Sequence, residues 1–182
     1  MIELTLHGRG GQGGVTLAKL IATAYFLRGR FAQAFGVYAA ERSGAPLNAY
    51  VRIDDEEITN HNQVREPDHV IVLDRTLISP AIATHMKADG WILLNSPDKP
   101  ESLSDYFSGR RVATVDATSI ALAHALGTRT VPIVNTTMLG AALRMLDEPW
   151  EAVEAALGEL KFGGGNLEAA REAYVKVCGH PG

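Results

Sequence analysis

Polar and apolar positions along the chain fall into two regimes. Residues 2–7 alternate branched apolar with polar side chains, the pattern of a half-buried strand, and run straight into a cluster of glycines. Val15, Ala18, Ile21, Ala22 and Tyr25 then recur at helical spacing, and Gly29 is placed to close that helix. Short apolar runs at 31–35, 47–53, 69–73, 91–94 and 112–115 read as strands. Helices are predicted over 76–87, ending before Asp89-Gly90, and over 117–126, between Asp116 as N-cap and Gly127 as a stop. Strands alternating with helices at this spacing predict an α/β fold with a doubly wound, mostly parallel sheet covered on both faces. The second regime is helical throughout, over 138–146, 149–160 and 167–177, with 161–165 as a flexible turn and Asn166 capping the last helix. It predicts a C-terminal helical layer.

Composition narrows this picture. With 182 residues, 46% of them hydrophobic, the chain is long enough for one core and short for two, so a single domain over 1–182 is expected. The net charge of −4, with Lys and Arg scattered, offers no basic stripe to a phosphate backbone and argues against nucleic acid as a partner. Cys178 stands alone, so it closes no internal disulfide and holds no cluster or structural zinc by itself. No stretch reaches the roughly eighteen apolar residues of a membrane span, and residues 1–11 lack a charged segment followed by an apolar run. A cytoplasmic protein without membrane contact is expected.

The glycine cluster carries the first candidate chemistry. Gly8, Gly10 and Gly13 spell G-x-G-x-x-G where a first strand turns into a first helix, with Arg9, Gly11 and Gln12 between them. Residues without side chains let backbone amides and a helix N-terminus approach a phosphate. A dinucleotide site also uses an acidic residue about twenty positions on, at the end of the second strand. Residues 31–36 contain none, and Glu41 comes later, in a loop-like segment. An NAD-binding Rossmann-like reductase therefore stands as an alternative beside an anion site and beside a turn that merely permits close packing. Glu41, Arg42, Ser43 and Gly44 form a second loop. If the second strand is parallel to the first, Arg9, Gln12 and Arg42 share one rim at the carboxyl edge of the sheet; otherwise Glu41-Arg42 is a solvated charge pair. Asn135 and Thr136 open a predicted helix, where their side chains cap the backbone or face a ligand. The amide-rich run Asn60-His61-Asn62-Gln63 reads equally as a partner contact or a hydrated loop.

Catalytic signatures are missing. There is no nucleophile elbow, no metal-spaced His/Cys set, no phosphate loop ending in Lys and Ser/Thr, and no Gly-Asp-Gly run of the kind that binds thiamine diphosphate. His124 lies in an Ala/Leu-rich stretch with no evident orienting partner and reads as a packed or surface residue rather than a base.

Seven blocks, in order, resemble the gamma subunit of pyruvate and related 2-oxoacid:ferredoxin oxidoreductases. They are the cluster from His7 to Gly13, Ala32-Gln33-Ala34-Phe35, the loop from Glu41 to Pro46, Glu66-Pro67-Asp68, Val72-Leu73-Asp74, Val115-Asp116-Ala117-Thr118, and the run from Asn135 to Ala141. The resemblance covers essentially the whole chain. It implies a Rossmann-like subunit of a multi-subunit enzyme that oxidatively decarboxylates a 2-oxoacid to an acyl-CoA. Thiamine diphosphate with magnesium would sit on the alpha and beta subunits and iron–sulfur clusters on beta and delta. Electrons would pass to ferredoxin, or to NAD through other subunits. This chain would carry no catalytic residue, metal or cofactor of its own and would contribute to coenzyme A binding through Gly8–Gly13, Glu41–Gly44, Asn135 and Thr136, or serve assembly alone as a structural subunit. Residues 36–40 depart from the Pro and acidic residue that many relatives carry there, which leaves the 2-oxoacid open between pyruvate, branched-chain, 2-oxoglutarate and aromatic substrates.

Overall fold

The computed structural model describes residues 1–37, 44–107 and 109–179, the side chains of Ser104 and Asp105 excepted. Strand β1 (Ile2–Arg9) leads through the glycine cluster into α1 (Gly14–Phe26), followed by β2 (Phe31–Val37) and β3 (Pro46–Asp54). Then come β4 (His69–Val72), β5 (Trp91–Asn95), the single turn α2 (Glu101–Ser104) and β6 (Arg111–Val115). The tail is α3 (Ala117–Ala123), α4 (Asn135–Met145), α5 (Trp150–Glu159) and α6 (Gly165–Lys176).

All six strands join one sheet in the order β2-β3-β1-β4-β5-β6. β1, β4, β5 and β6 run parallel, as the alternation of strand and helix predicts. β3 is antiparallel to both β1 and β2, with Ile2 opposite Ile53 and Phe31 opposite Asp54. A short link permits this hairpin, whereas a parallel return would need a crossover of a dozen or more residues. β2 therefore points the same way as β1, and Val37 at its end and Pro46 at the start of β3 both lie toward the edge that carries the glycine cluster.

The central strands are apolar on both faces, which is why they read as continuous runs. Leu4, Leu6, Ile71, Leu73 and Leu93 face α1 and α3–α6 in the main core. Val70, Val72, Ile92 and Leu94 face the other way, onto Ala83, Met86 and Phe107. That second face is covered not by the helix predicted over 76–87 but by two 3₁₀ turns, Arg75–Leu77 and Pro80–Ala83. Pro80 is the reason. It lacks an amide to donate and pushes the residue before it out of the helical region, and Ile78 and Ser79 are both extended, with ψ of 116° and 153°. Two boundaries also shift. Asp116 does cap α3, accepting from the Ser119 amide, but the helix stops at Ala123 and Ala125 takes a positive φ before Gly127 is reached. Asn166 lies inside α6 rather than capping it, and its side chain bonds Gly163 and Thr136 instead.

Toward β3 the second face turns polar around Arg52, which is 1% exposed. Its Nε donates to Glu3 at 2.8 Å and its two Nη groups donate to the carbonyls of Asn60 and Asn62. The amide-rich run thus packs on the sheet, a buried cation holding its backbone. Removing one partner of such a buried pair costs about 3–5 kcal/mol, because the other charge is left without compensation.

At the starts of β4 and β5 His69 stacks on Trp91, with ring centroids 4.2 Å apart, and its Nδ1 accepts the Trp91 amide at 3.2 Å. Burial lowers its pKa from 6.5 to about 4, only partly opposed by Asp68. Because the folded value is the lower one, the unfolded chain takes up the proton first. The stability is whole above pH 6.5, declines as pH falls toward 4 and levels off below that, a loss of about 3 kcal/mol across the window. Urea midpoints measured between pH 7 and 4.5 should fall for the parent chain, and His69→Phe should flatten that slope while lowering stability at pH 7 through the lost Trp91 hydrogen bond.

Candidate functional site

The glycine cluster sits where β1 gives way to α1, next to the gap between β1 and β4. In doubly wound sheets this carboxyl edge, at the switch in strand order, is where ligands collect. The β1–β3 ladder ends at Arg9 opposite Pro46 and continues into the loop, where the Gly10 amide donates to Ala45 and the Gly44 amide donates to Gly10. The conditional alignment of the two loops is therefore realised at Arg9, Gly10 and Gly44. Glu41, Arg42 and Ser43 lie outside the described residues.

Gly13 needs to be glycine. Its φ is +83°, and a Cβ there would stand 2.6 Å from the Asn135 amide nitrogen. Gly8 is different, since a Cβ would meet Gln12 and Leu73 only at ordinary contact distance. α1 begins without a side-chain cap and without an acidic residue in its first turn. Apart from Leu17, which bonds Gly13, its first-turn amides find no backbone acceptor among the described residues. That leaves a cluster of donors and the positive end of a helix dipole at the sheet edge.

Beside it lies a network centred on Asp74, just past the end of β4. Gln12 accepts from the Arg9 amide through Oε1 and donates to Asp74 through Nε2 at 2.5 Å. The Thr76 amide and hydroxyl also donate to Asp74, and the Arg9 Nε lies 3.4 Å from it. Burial pushes the Asp74 carboxyl up, but the bonds from Thr76 and Gln12 and the charge of Arg9 outweigh it and hold the group below the usual carboxylate range. The Arg9 guanidinium donates to Thr76 from Nε and Nη2 and to the Gly44 carbonyl from Nη1. Among the described residues that leaves one of its five N–H groups on each Nη without a partner. The side chain is 32% exposed, at the rim.

A cleft of about 250 Å³ opens next to this network, lined among others by Gln12, Asp74, Asn95, Thr118, Thr130 and Pro132. Asn95, at the end of β5, donates to the Leu73 carbonyl and the Thr118 hydroxyl and accepts from the Thr118 amide, locking two strand ends to α3. Asn135 and Thr136 stand further in. Asn135 is buried against Gly13 and accepts from the Thr136 amide, and Thr136 is fully buried with its hydroxyl on Asn166. His124 does have an orienting partner: its Nε2 bonds Glu172 at 2.7 Å, pinning the end of α3 to α6. Among the described residues no three His, Cys, Asp or Glu side chains gather as metal ligands, and no helix is long and apolar enough to cross a membrane.

The family model for pyruvate ferredoxin/flavodoxin oxidoreductase matches residues 3–175. The chain belongs to that family. Among its relatives, a pyruvate/ketoisovalerate oxidoreductase common subunit gamma from Pyrococcus abyssi is 40% identical, with 97% of each chain covered. A pyruvate synthase subunit PorC from Methanocaldococcus jannaschii is 44% identical over the same shares. In structure, pyruvate oxidoreductase subunit PORC from Thermotoga maritima superposes with a TM-score of 0.83 at 36% identity, covering 97% of this chain and 96% of that one. The chain is thus a gamma-type subunit of an oxidoreductase.

For this gamma subunit, the blocks that carry the resemblance and the residues that meet at the sheet edge overlap but are not the same set. Asp74, Thr76, Asn95 and Thr130 belong to the edge, yet inspection of the sequence did not single them out as site residues. A signal existed for two of them: Asp74 and Asn95 are the first polar residues after the apolar runs of neighbouring parallel strands, where side chains turn to the carboxyl edge.

The contact of Gly13 with Asn135 yields a prediction. Gly13→Ala should destabilise the chain by about 2–4 kcal/mol, from the left-handed backbone and from overpacking. Asn135→Ala in that background should recover only part of the overpacking, since the Cβ of residue 135 still stands 2.9 Å from the new methyl, and a double-mutant cycle in urea reads that part directly.

Proposed function

We propose that this chain is the gamma subunit of a thiamine-diphosphate-dependent, CoA-acylating 2-oxoacid oxidoreductase, and that its sheet edge at Arg9 holds a phosphate of coenzyme A. Pyruvate, named for the Methanocaldococcus and Thermotoga relatives, and ketoisovalerate, named with it for the Pyrococcus one, are the candidate substrates. Thiamine diphosphate, magnesium and the iron–sulfur clusters belong in this reading to alpha, beta and delta subunits, and ferredoxin takes the electrons. A single cysteine and the lack of a thiamine signature support that division. No step of decarboxylation or electron transfer is assigned to residues of this chain, which acts in the cytoplasm as part of the assembly.

The observation that carries the reading is the pairing of an uncapped, acid-free helix N-terminus with a part-exposed arginine that has two N–H groups without a partner among the described residues. Backbone amides at a helix start favour an anion, and a guanidinium adds charge-assisted bonds to phosphate oxygens. Asp74 does not cancel this. It shares Arg9 with Thr76 and Gly44 and holds the guanidinium in one orientation, so that little side-chain entropy is lost when an anion arrives.

Steady-state kinetics on the assembled enzyme test it. Arg9→Gln should raise the Michaelis constant for CoA about ten- to hundredfold and leave that for the 2-oxoacid unchanged. Thr76→Val cuts the tie between the loops but keeps the charge, and should stay within about threefold of the parent. If Thr76→Val reproduces the Arg9→Gln effect, or Arg9→Gln leaves CoA dependence unchanged, the loop is a packing element. Purified alone, the chain should reduce no viologen dye when given a 2-oxoacid, CoA and thiamine diphosphate; turnover free of other subunits would overturn the division of labour.

A further inference from the structure

β2 forms one edge of the sheet, and among the described residues no strand pairs with its outer side. An edge strand presents a row of unpaired amides and carbonyls, and soluble proteins ordinarily blunt it with lysine, proline, a bulge or short length. β2 uses none of these. Its seven residues, Phe31-Ala32-Gln33-Ala34-Phe35-Gly36-Val37, carry no charge and no proline, and their register against β3 runs from Phe31 to Val37 without a skipped residue. Three apolar side chains at its start stand in water, Phe26, Leu27 and Phe31 being 68%, 43% and 47% exposed, while the arginines of the turn between them, Arg28 and Arg30, pair with Glu148 and Asp55. Such a surface is costly to leave in water unless something covers it.

The strand also suggests what covers it. Phe31-Ala32-Gln33-Ala34-Phe35 reads the same in both directions. Antiparallel partners run in opposite directions, so a palindromic strand complements itself about a two-fold axis. With Gln33 of two copies opposite each other, Phe31 of each meets Phe35 of the other on one face, and Ala32 meets Ala34 on the other face. Cross-strand aromatic pairs add stability beyond the strand hydrogen bonds, and the alanines let α1 of each copy keep its place over the sheet. A register slipped by one residue would set one Phe of each strand against Ala and the other against Gly36 or Arg30. Gln33 is already steadied in its own chain by His61 and Arg52, so the axis falls on an ordered side chain.

We propose that β2 pairs antiparallel with β2 of a second copy of this chain, about a two-fold axis through Gln33, so that two sheets become one. Sedimentation of the purified full chain should show a dimer. Phe31→Lys changes an exposed side chain and puts a charge on the shared edge, so it should raise the dimer dissociation constant at least about tenfold while the circular dichroism of the fold is unchanged. The register is tested in a Cys178→Ser background: Ala32→Cys and Ala34→Cys chains, mixed and mildly oxidised, should form several-fold more disulfide-linked dimer than either chain alone. A chain that stays monomeric at every concentration, a dimer untouched by Phe31→Lys, or equal cross-linking in all three samples overturns the proposal. So does an edge that becomes protected from amide exchange only when the other subunits of the enzyme are added, which would assign it to a partner's strand.

Discussion

Helix α4 has almost no surface of its own, and the rest of the molecule is arranged around the two points where its neighbours come closest. Ten of its eleven residues are buried. A Cβ on Gly140 would stand 1.9 Å from the Ala170 carbonyl oxygen of α6, so the two backbones touch there. At the other end the Asn135 amide fills the space beside Gly13. Interiors packed at this density do not yield continuously, so the glycine loop, α4 and α6 hold one another in a single arrangement. The conformation of the loop at the sheet edge is thereby set from the core side, by residues more than a hundred positions away.

Two arginines show how the same charge serves opposite ends. Arg52 is almost wholly buried, and Glu3, Gln33 and the carbonyls of Asn60 and Asn62 take up four of its five N–H groups. It holds a loop to the sheet, and at 1% exposure its guanidinium is out of reach of a ligand. Arg9 lies at the rim with two N–H groups that find no partner among the described residues, and its neighbour Asp74 orients it. Screening at the surface makes the Arg9–Asp74 pair a small stabilising term, whereas the Arg52–Glu3 pair is a large commitment that the further bonds from Arg52 to Gln33, Asn60 and Asn62 make tolerable.

Read without coordinates, the chain already declares its strands, because a segment buried on both faces has to be apolar throughout. Asp116 as a cap and the helical tail follow from short-range rules in the same way. The order of seven motifs over nearly the whole length points to the family. The one element wrongly read, the helix over 76–87, fails on a local term that deserved more weight: Pro80 forbids a continuous helix and leaves two 3₁₀ turns.

Other features depend on contacts between residues far apart in sequence. That β3 runs against its neighbours is decided by pairing Ile2 with Ile53, and no periodicity within either strand records a direction. That Gln12, Arg9 and Thr76 converge on Asp74 depends on β4 lying beside β1, which brings together residues over sixty positions apart. That Asn135 and Thr136 are buried, with Thr136 bonded to Asn166, depends on α4 being enclosed on every side. Local sequence sets backbone conformation and the faces that must leave water, since propensity and hydrophobicity act over a few residues. Which faces meet, and therefore which polar groups are left at the rim, is settled only when the whole core closes.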